Sequence, residues 1–291
     1  MMSGVIFAGV FMAILGSALA WMLAAANKRL YVYEDPRIDQ VSELLPQSNC
    51  GACGTAGCRN FAENLVEGKV QPSGCTVNTP DMNAYIAGLL GVDVGEADKR
   101  VARLACAGGR HVARLRAHYE GLGSCRAAAT VAGGGKDCAW GCLGLGDCES
   151  VCDFDAIGMN QFGLPVVDTA KCTACGDCVE VCPKELFSLH SLSHKLWVAC
   201  KNQADGDTAE RQCEVACTAC GRCVQDSAEG LMKLDGELAT VDYSLNQLAT
   251  RKSIERCPTG AIVWLEDGLA EKGKAAKKIV RITPLPVASE V

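Results

Sequence analysis

Cysteine spacing carries the chemistry of this chain. The run Cys172-Thr-Ala-Cys175-Gly-Asp-Cys178-Val-Glu-Val-Cys182-Pro183 has the spacing C-x2-C-x2-C-x3-C-P. In that pattern three thiolates hold one [4Fe–4S] cluster and the fourth reaches over to ligate a neighbouring one. A zinc ribbon also uses C-x2-C pairs, but it separates them by a long spacer. A second group, Cys50-Gly-Ala-Cys53-Gly-Thr-Ala-Gly-Cys58 followed by Cys75, reads C-x2-C-x4-C-x16-C. Its glycines let the backbone turn its amides toward sulfur. This is a separate [4Fe–4S] site, with zinc as the rival occupant of the same thiols.

The remaining cysteines fall into an internal repeat. The spacing from Cys125 through Cys138 to Cys142 recurs from Cys200 through Cys213 to Cys217, so two modules stand in tandem. In the first, Cys142, Cys148 and Cys152 take the first, third and fourth places of the run. Leu145 stands at the second place, and Cys138 is the expected substitute. Cross-ligation then groups Cys138, Cys142, Cys148 and Cys182 on one cluster and Cys152, Cys172, Cys175 and Cys178 on another. In the second module Cys217, Cys220 and Cys223 are intact but Ser227 occupies the fourth place. Cys257, followed by Pro258, closes that set, and no further run appears near Tyr243. Cys106, Cys125, Cys200 and Cys213 are left over. They are either free buried thiols or the ligands of a fifth cluster beside the four.

These sites need small lobes to hold them. The chain has 291 residues with 20 cysteines and few aromatics, enough for two or three small domains whose cores are partly inorganic. A disulfide scaffold is normally short, so these thiols are expected reduced and metal-bound in a cytosolic compartment. The net charge of −6 gives nucleic acid no basis for binding. The expected class is α+β, a small multi-domain iron–sulfur protein. Its boundaries are a transmembrane anchor (1–27), a connector (28–48), a [4Fe–4S] domain (49–92), a first module with an N-terminal extension (93–195), a degenerate second module (196–266) and a flexible basic tail (267–291).

The uncharged stretch from Gly4 to Ala26 is long enough to cross a hydrocarbon core of about 30 Å; a secretory signal peptide is the rival reading, but it needs a positive n-region where Met-Met-Ser-Gly offers only the terminal amine. Lys28 and Arg29 follow the stretch, so the positive-inside rule places the N-terminus outside and the cluster domains in the cytoplasm, single-pass on the inner membrane. Pro80 to Gly91 reads as a short helix. The Arg-rich stretch from Lys99 to His118 is either a solvated face with Val101, Leu104 and Val112 turned inward or a dock for an acidic electron donor. The histidines (His111, His118, His190, His194) are scattered and expected to be ordinary. No P-loop, nucleotide-binding turn or nucleophile with its base is present, so no catalytic residue is expected and the chain transfers electrons only.

The anchor, the Cys50–Cys75 domain, the Ala-Cys106-Ala-Gly-Gly segment, the Gly-Cys142-Leu-Gly-Leu-Gly-Asp-Cys148 run and the tandem ferredoxin-like modules resemble the B subunit of the Rnf (Rsx) ion-translocating electron-transport complex. The resemblance implies a subunit that accepts electrons from ferredoxin at the cytoplasmic face. Partner subunits would pass them through membrane-embedded carriers to NAD, coupled to Na+ or H+ transport. A subunit of another membrane oxidoreductase, a hydrogenase or dehydrogenase, and a zinc-binding interaction scaffold remain the alternatives.

Overall fold

The structure, a computed structural model, describes residues 2–30, 33–96, 98–266 and 268–287. The chain forms two compact units, one from the segment up to Asn49 with Ala56–Val70, the other from Cys50–Thr55 and the chain from Gln71 onward.

In the first unit α1 (Met2–Leu30) has no charge before Lys28 and Arg29 in its last turn. Among the described residues it is the one helix long and apolar enough to cross a membrane, with a mean hydropathy of 1.9 over Gly9–Leu30. Phe7, Phe11, Ile14 and Trp21 stand exposed on it, an arrangement costly in water and favourable in hydrocarbon. Within the stretch read as a connector, α2 (Pro36–Leu44) forms. Pro36 opens it and Asp35 caps it by accepting from the Arg37 N–H at 2.9 Å. It packs on α3 (Cys58–Val66). Val41, Phe61, Ala62 and Leu65 are buried in this unit.

The first α-helix of the second unit is α4 (Pro80–Leu90), where the sequence places a short helix; Thr79 caps it through the Met82 N–H at 3.2 Å. Its strands are short: β1 (Arg100–Leu104), β2 (Ile157–Met159), β3 (Pro165–Val167), β4 (Phe187–Ser191), β5 (Leu196–Val198), β6 (Met232–Asp235), β7 (Leu238–Val241), β8 (Ile262–Glu266) and β9 (Leu269–Lys272). β1 pairs antiparallel with β4, β2 with β3 and β6 with β7, while β5, β8 and β9 form a three-stranded sheet. Six short helices interrupt them: α5 (Cys125–Thr130), α6 (Asp147–Ser150), α7 (Asp177–Val181), α8 (Gly206–Gln212), α9 (Arg222–Asp226) and α10 (Lys252–Glu255). Cysteine belongs to two of the apolar clusters in threes, with Cys148, Cys172 and Cys178 beside Val101 and Phe187, and Cys217, Cys223 and Cys257 beside Leu196 and Leu231.

The basic stretch turns Val101 and Val112 inward, as the solvated-face reading expects, and leaves Arg100, Arg110, Arg114 and Arg116 exposed. Arg103 departs from it: 8% exposed, it donates to the carbonyls of Ser191 and Leu192. One expectation changes. The segment expected as a flexible tail is docked as far as it is described. After β9, Arg281 pairs with Glu214 at 2.5 Å and donates to the His111 carbonyl, the Leu285 N–H bonds the Arg110 carbonyl, and Val287 is buried. Backbone bonding and one buried apolar side chain outweigh its lysine content.

The loop carrying Cys138 is seated by a close backbone crossing. The Gly135 carbonyl accepts from Arg116 and Ala117, and the Asp137 N–H donates to Arg114. Gly135 has φ +75°, and a Cβ there would lie 2.1 Å from the Ala117 carbonyl oxygen. Gly135→Ala is therefore expected to destabilise the protein by about 1–3 kcal/mol, the usual cost of overpacking, measured as a lowered midpoint in anaerobic denaturation.

Candidate metal centres

From Cys106 onward the fold collects the cysteines in fours. One cavity is lined by Cys125, Cys142, Cys148 and Cys182. Cys125 arrives because Asp147, on α6, accepts from the Cys125 N–H at 2.9 Å, the Arg126 N–H at 3.1 Å and the Ser124 hydroxyl at 3.0 Å. A carboxylate at the start of α5 satisfies helix donors that would otherwise be orphaned. Those hydrogen bonds hold Asp147 below the usual carboxylate range despite desolvation. Burial pushes both Cys142 and Cys148 up to about 12. Spacing assigns Cys138 to this group; the structure brings Cys125 instead. The Ser124–Asp147 pairing that decides it leaves no spacing signature.

Cys138 lines a different cavity, with Cys106, Cys200 and Cys213. These thiols come from the segments after β1 and β5, from the Cys138 loop and from the end of α8, so no single run of sequence contains the group. The leftover cysteines are thus split between two sites. Gly108 makes room, since a Cβ there would stand 3.1 Å from Cys213 Sγ and 3.6 Å from Cys106 Sγ. Amides face the sulfurs: Cys142 N–H donates to Cys106 Sγ at 3.5 Å, Cys217 N–H and Asn202 N–H to Cys200 Sγ at 3.4 Å, and the Asn202 side-chain amide to Cys138 Sγ at 3.5 Å. Burial pushes Cys200 and Cys213 up to about 12.

Cys217, Cys220, Cys223 and Cys257 line a third cavity. Ser227, at the vacant fourth place, donates to the Cys223 carbonyl at 2.7 Å and to Ser253 at 2.8 Å, so it braces α9 against α10. Around Cys178, which burial pushes up to about 12, lie Cys172, Cys175, Cys148 and Cys152, each adding to the rise; with Cys148 in the cavity of Cys125, Cys142 and Cys182, the other three form the fourth group with Cys178. Ala102 N–H donates to Cys172 Sγ and Ala156 N–H to Cys152 Sγ, both at 3.4 Å. Of the remaining set, Cys58 starts α3 in the first unit, its N–H bonded to the Asn49 side chain at 2.9 Å. Cys50, Cys53 and Cys75 belong to the second unit.

Thiols in fours, amides aimed at sulfur and room left by a missing Cβ suit [4Fe–4S] clusters. Among the described residues no three His, Cys, Asp or Glu side chains are arranged to hold a single metal ion. A lone zinc would draw four sulfurs to about 2.3 Å from one centre, whereas a cluster holds them farther apart. Three of the histidines pack on aromatic rings. His111 lies against Phe162 with ring centroids 3.8 Å apart, and His190 and His194 pack with Tyr243, the last two stacked at 4.3 Å.

Comparison with known proteins agrees with this chemistry. A family model for an Fe–S cluster domain matches residues 45–77, and one for a 4Fe-4S dicluster domain matches 137–187. The latter span stops short of Cys125, which the fold brings in from α5. The B subunit of the Na(+)-translocating ferredoxin:NAD(+) oxidoreductase complex of Acetobacterium woodii is 38% identical over 94% of this chain and 79% of its own length. The chain belongs to this B-subunit family, the Rnf type. The B subunit of the proton-translocating ferredoxin:NAD(+) oxidoreductase complex of Clostridium ljungdahlii is 36% identical over 92% of this chain and 95% of its own length. That of the ion-translocating oxidoreductase complex of Methanosarcina acetivorans is 36% identical over 85% of this chain and 94% of its own length. As a member of the family the chain is a [4Fe–4S] electron-transfer subunit of an ion-translocating oxidoreductase.

The histidine cluster of this Rnf-type chain yields a pH test. Burial, then His194 and Arg103, push His190 down to about 4. The unfolded value is about 6.5, so between the two the unfolded chain binds more protons. Stability from this residue is complete above about pH 6.5 and is lost as pH falls toward about 4. Between pH 7 and 5.5 wild type is expected to lose roughly 1 kcal/mol more than His190→Gln, measured by anaerobic denaturation at both pH values.

Proposed function

We propose that this chain is the relay subunit of a membrane-bound ferredoxin:NAD oxidoreductase, anchored by α1 with its N-terminus outside and its cluster domains in the cytoplasm. It takes electrons from reduced ferredoxin and hands them to partner subunits of the complex. The names of the relatives support the donor and acceptor; Lys28 and Arg29 at the end of α1 support the orientation.

The ligand sets we propose are Cys50, Cys53, Cys58 and Cys75; Cys152, Cys172, Cys175 and Cys178; Cys125, Cys142, Cys148 and Cys182; Cys106, Cys138, Cys200 and Cys213; and Cys217, Cys220, Cys223 and Cys257. The first rests on spacing and the family match, the others on the cavities and thiol groups described above. A bound [4Fe–4S] cluster holds one electron with little structural change, at a potential set by charge, hydrogen bonds to sulfur and exposure.

The observation that carries the relay is that neighbouring groups share walls. Cys148 lies close enough to Cys178 to disfavour its ionisation. The Cys142 N–H bonds Cys106 Sγ at 3.5 Å, and the Cys217 N–H bonds Cys200 Sγ at 3.4 Å. Four sites therefore follow one another as the Cys178, Cys148, Cys138 and Cys223 groups. Each link is a residue that supplies a ligand to one site and a contact to the next.

Paired variants test the grouping by iron content and redox-titrated EPR. Cys125→Ser combined with Cys142→Ser is expected to lose no more than either alone, about four irons. Cys138→Ser combined with Cys142→Ser is expected to lose about eight. Loss of only four irons from the second pair would return Cys138 to the Cys142 group. With reduced ferredoxin as donor, either single variant should leave a terminal group of the series unreduced.

A further inference from the structure

Between the two central sites of the series lies a buried cation. Lys136 is 7% exposed. Its Nζ donates to the Gly108 carbonyl and to the Cys142 carbonyl, each at 2.6 Å. Those carbonyls belong to opposite sides: Gly108 cradles Cys106 and Cys213, while Cys142 is a ligand of the other group. The stem is seated against Gly141, where a Cβ would stand 3.0 Å from Lys136 Cε. Among the described residues no carboxylate pairs with the ammonium.

An ammonium buried without a counter-charge is strongly unfavourable. Two carbonyl dipoles do not neutralise it, so the balancing negative charge must come from the thiolates around it. It touches both groups: Lys136 lines the cavity of Cys106, Cys138, Cys200 and Cys213, and its Nζ is bonded to the Cys142 carbonyl of the other.

We propose that Lys136 is a fixed positive charge shared by the Cys106/Cys138/Cys200/Cys213 and Cys125/Cys142/Cys148/Cys182 clusters, raising both reduction potentials so that an electron rests at the centre of the relay. The proposal rests on the ligand sets given above. The redox step adds one electron, supplied by the ferredoxin donor, and one negative charge to a cluster; no bond is made or broken and no proton moves. Burial alone disfavours that added charge. The ammonium offsets it at both sites, and at the Cys138 site the Asn202 amide adds a hydrogen bond to sulfur that acts in the same direction.

Lys136→Gln keeps an amide able to reach the carbonyls and removes the charge, whereas Lys136→Arg keeps the charge. Full-length protein is titrated anaerobically by EPR, with iron counted in each sample. At full iron content, K136Q is expected to move two midpoints to more negative values. The reduced-to-oxidised ratio at the wild-type midpoint should fall at least tenfold, about 59 mV for a one-electron couple. The Cys178-group and Cys223-group midpoints should move less, and K136R should stay near wild type. Loss of both central clusters in K136Q but not in K136R would support the same role. Unmoved midpoints in K136Q at full iron content, or loss of both clusters in K136R as well, overturns it. The paired cysteine variants judge the ligand sets separately, so a failure of Lys136 and a failure of the grouping give different results.

Discussion

Desolvation of sulfur is the constraint on which the rest of this structure depends. Cys142, Cys148, Cys178, Cys200, Cys213 and Cys223 are pushed up to about 12 by burial when no metal balances them. A buried thiolate needs positive charge nearby. Iron supplies most of it, amides supply more, and one ammonium lies where two sites meet. Assembly of the metal sites and folding of the lobes are in this sense one event.

The secondary structure points the same way. From α5 onward the helices run between four and seven residues, too short to persist by themselves, and most sheets have two strands. Such elements are stable when something else closes the loops between them. The Cys106/Cys138/Cys200/Cys213 group closes the longest loops, because its thiols come from four separated stretches. Loss of that site would cut ties between β1, the Cys138 loop, β5 and α8, whereas the compact Cys172–Cys178 run ties a single loop to its neighbours.

Sharing of walls is also what turns a set of metal sites into a conductor. A residue such as Cys142 contributes its sulfur to one cavity, its N–H to the sulfur of the next, and its carbonyl to Lys136. Stability and electron transfer then depend on the same contacts. The histidine–tyrosine packing around His190 and the docked segment from β9 to Val287 serve neither purpose directly; the buried clusters of the second unit mix cysteine with aliphatic side chains.

Cluster chemistry is legible before any fold is known, because it is encoded in local spacing. Cys172 through Pro183, Cys50 through Cys75 and the apolar run before Lys28 can each be read within one stretch of chain. The short helix at Pro80 is equally local, and in the fold Thr79 caps it. Partnership across distance is different, and belongs to the tertiary structure alone. Cys125 lines the cavity of Cys142 and Cys148, and Cys138 that of Cys106, Cys200 and Cys213, with Asp147 pinning the start of α5 and the Gly135 crossing seating the Cys138 loop. Arg103 is buried and the lysine-bearing C-terminal segment is held down through Arg281 and Leu285, although composition alone marks both as solvated. Spacing records how far apart two thiols are along the chain; hydrogen bonds and close backbone crossings decide which cavity each of them enters.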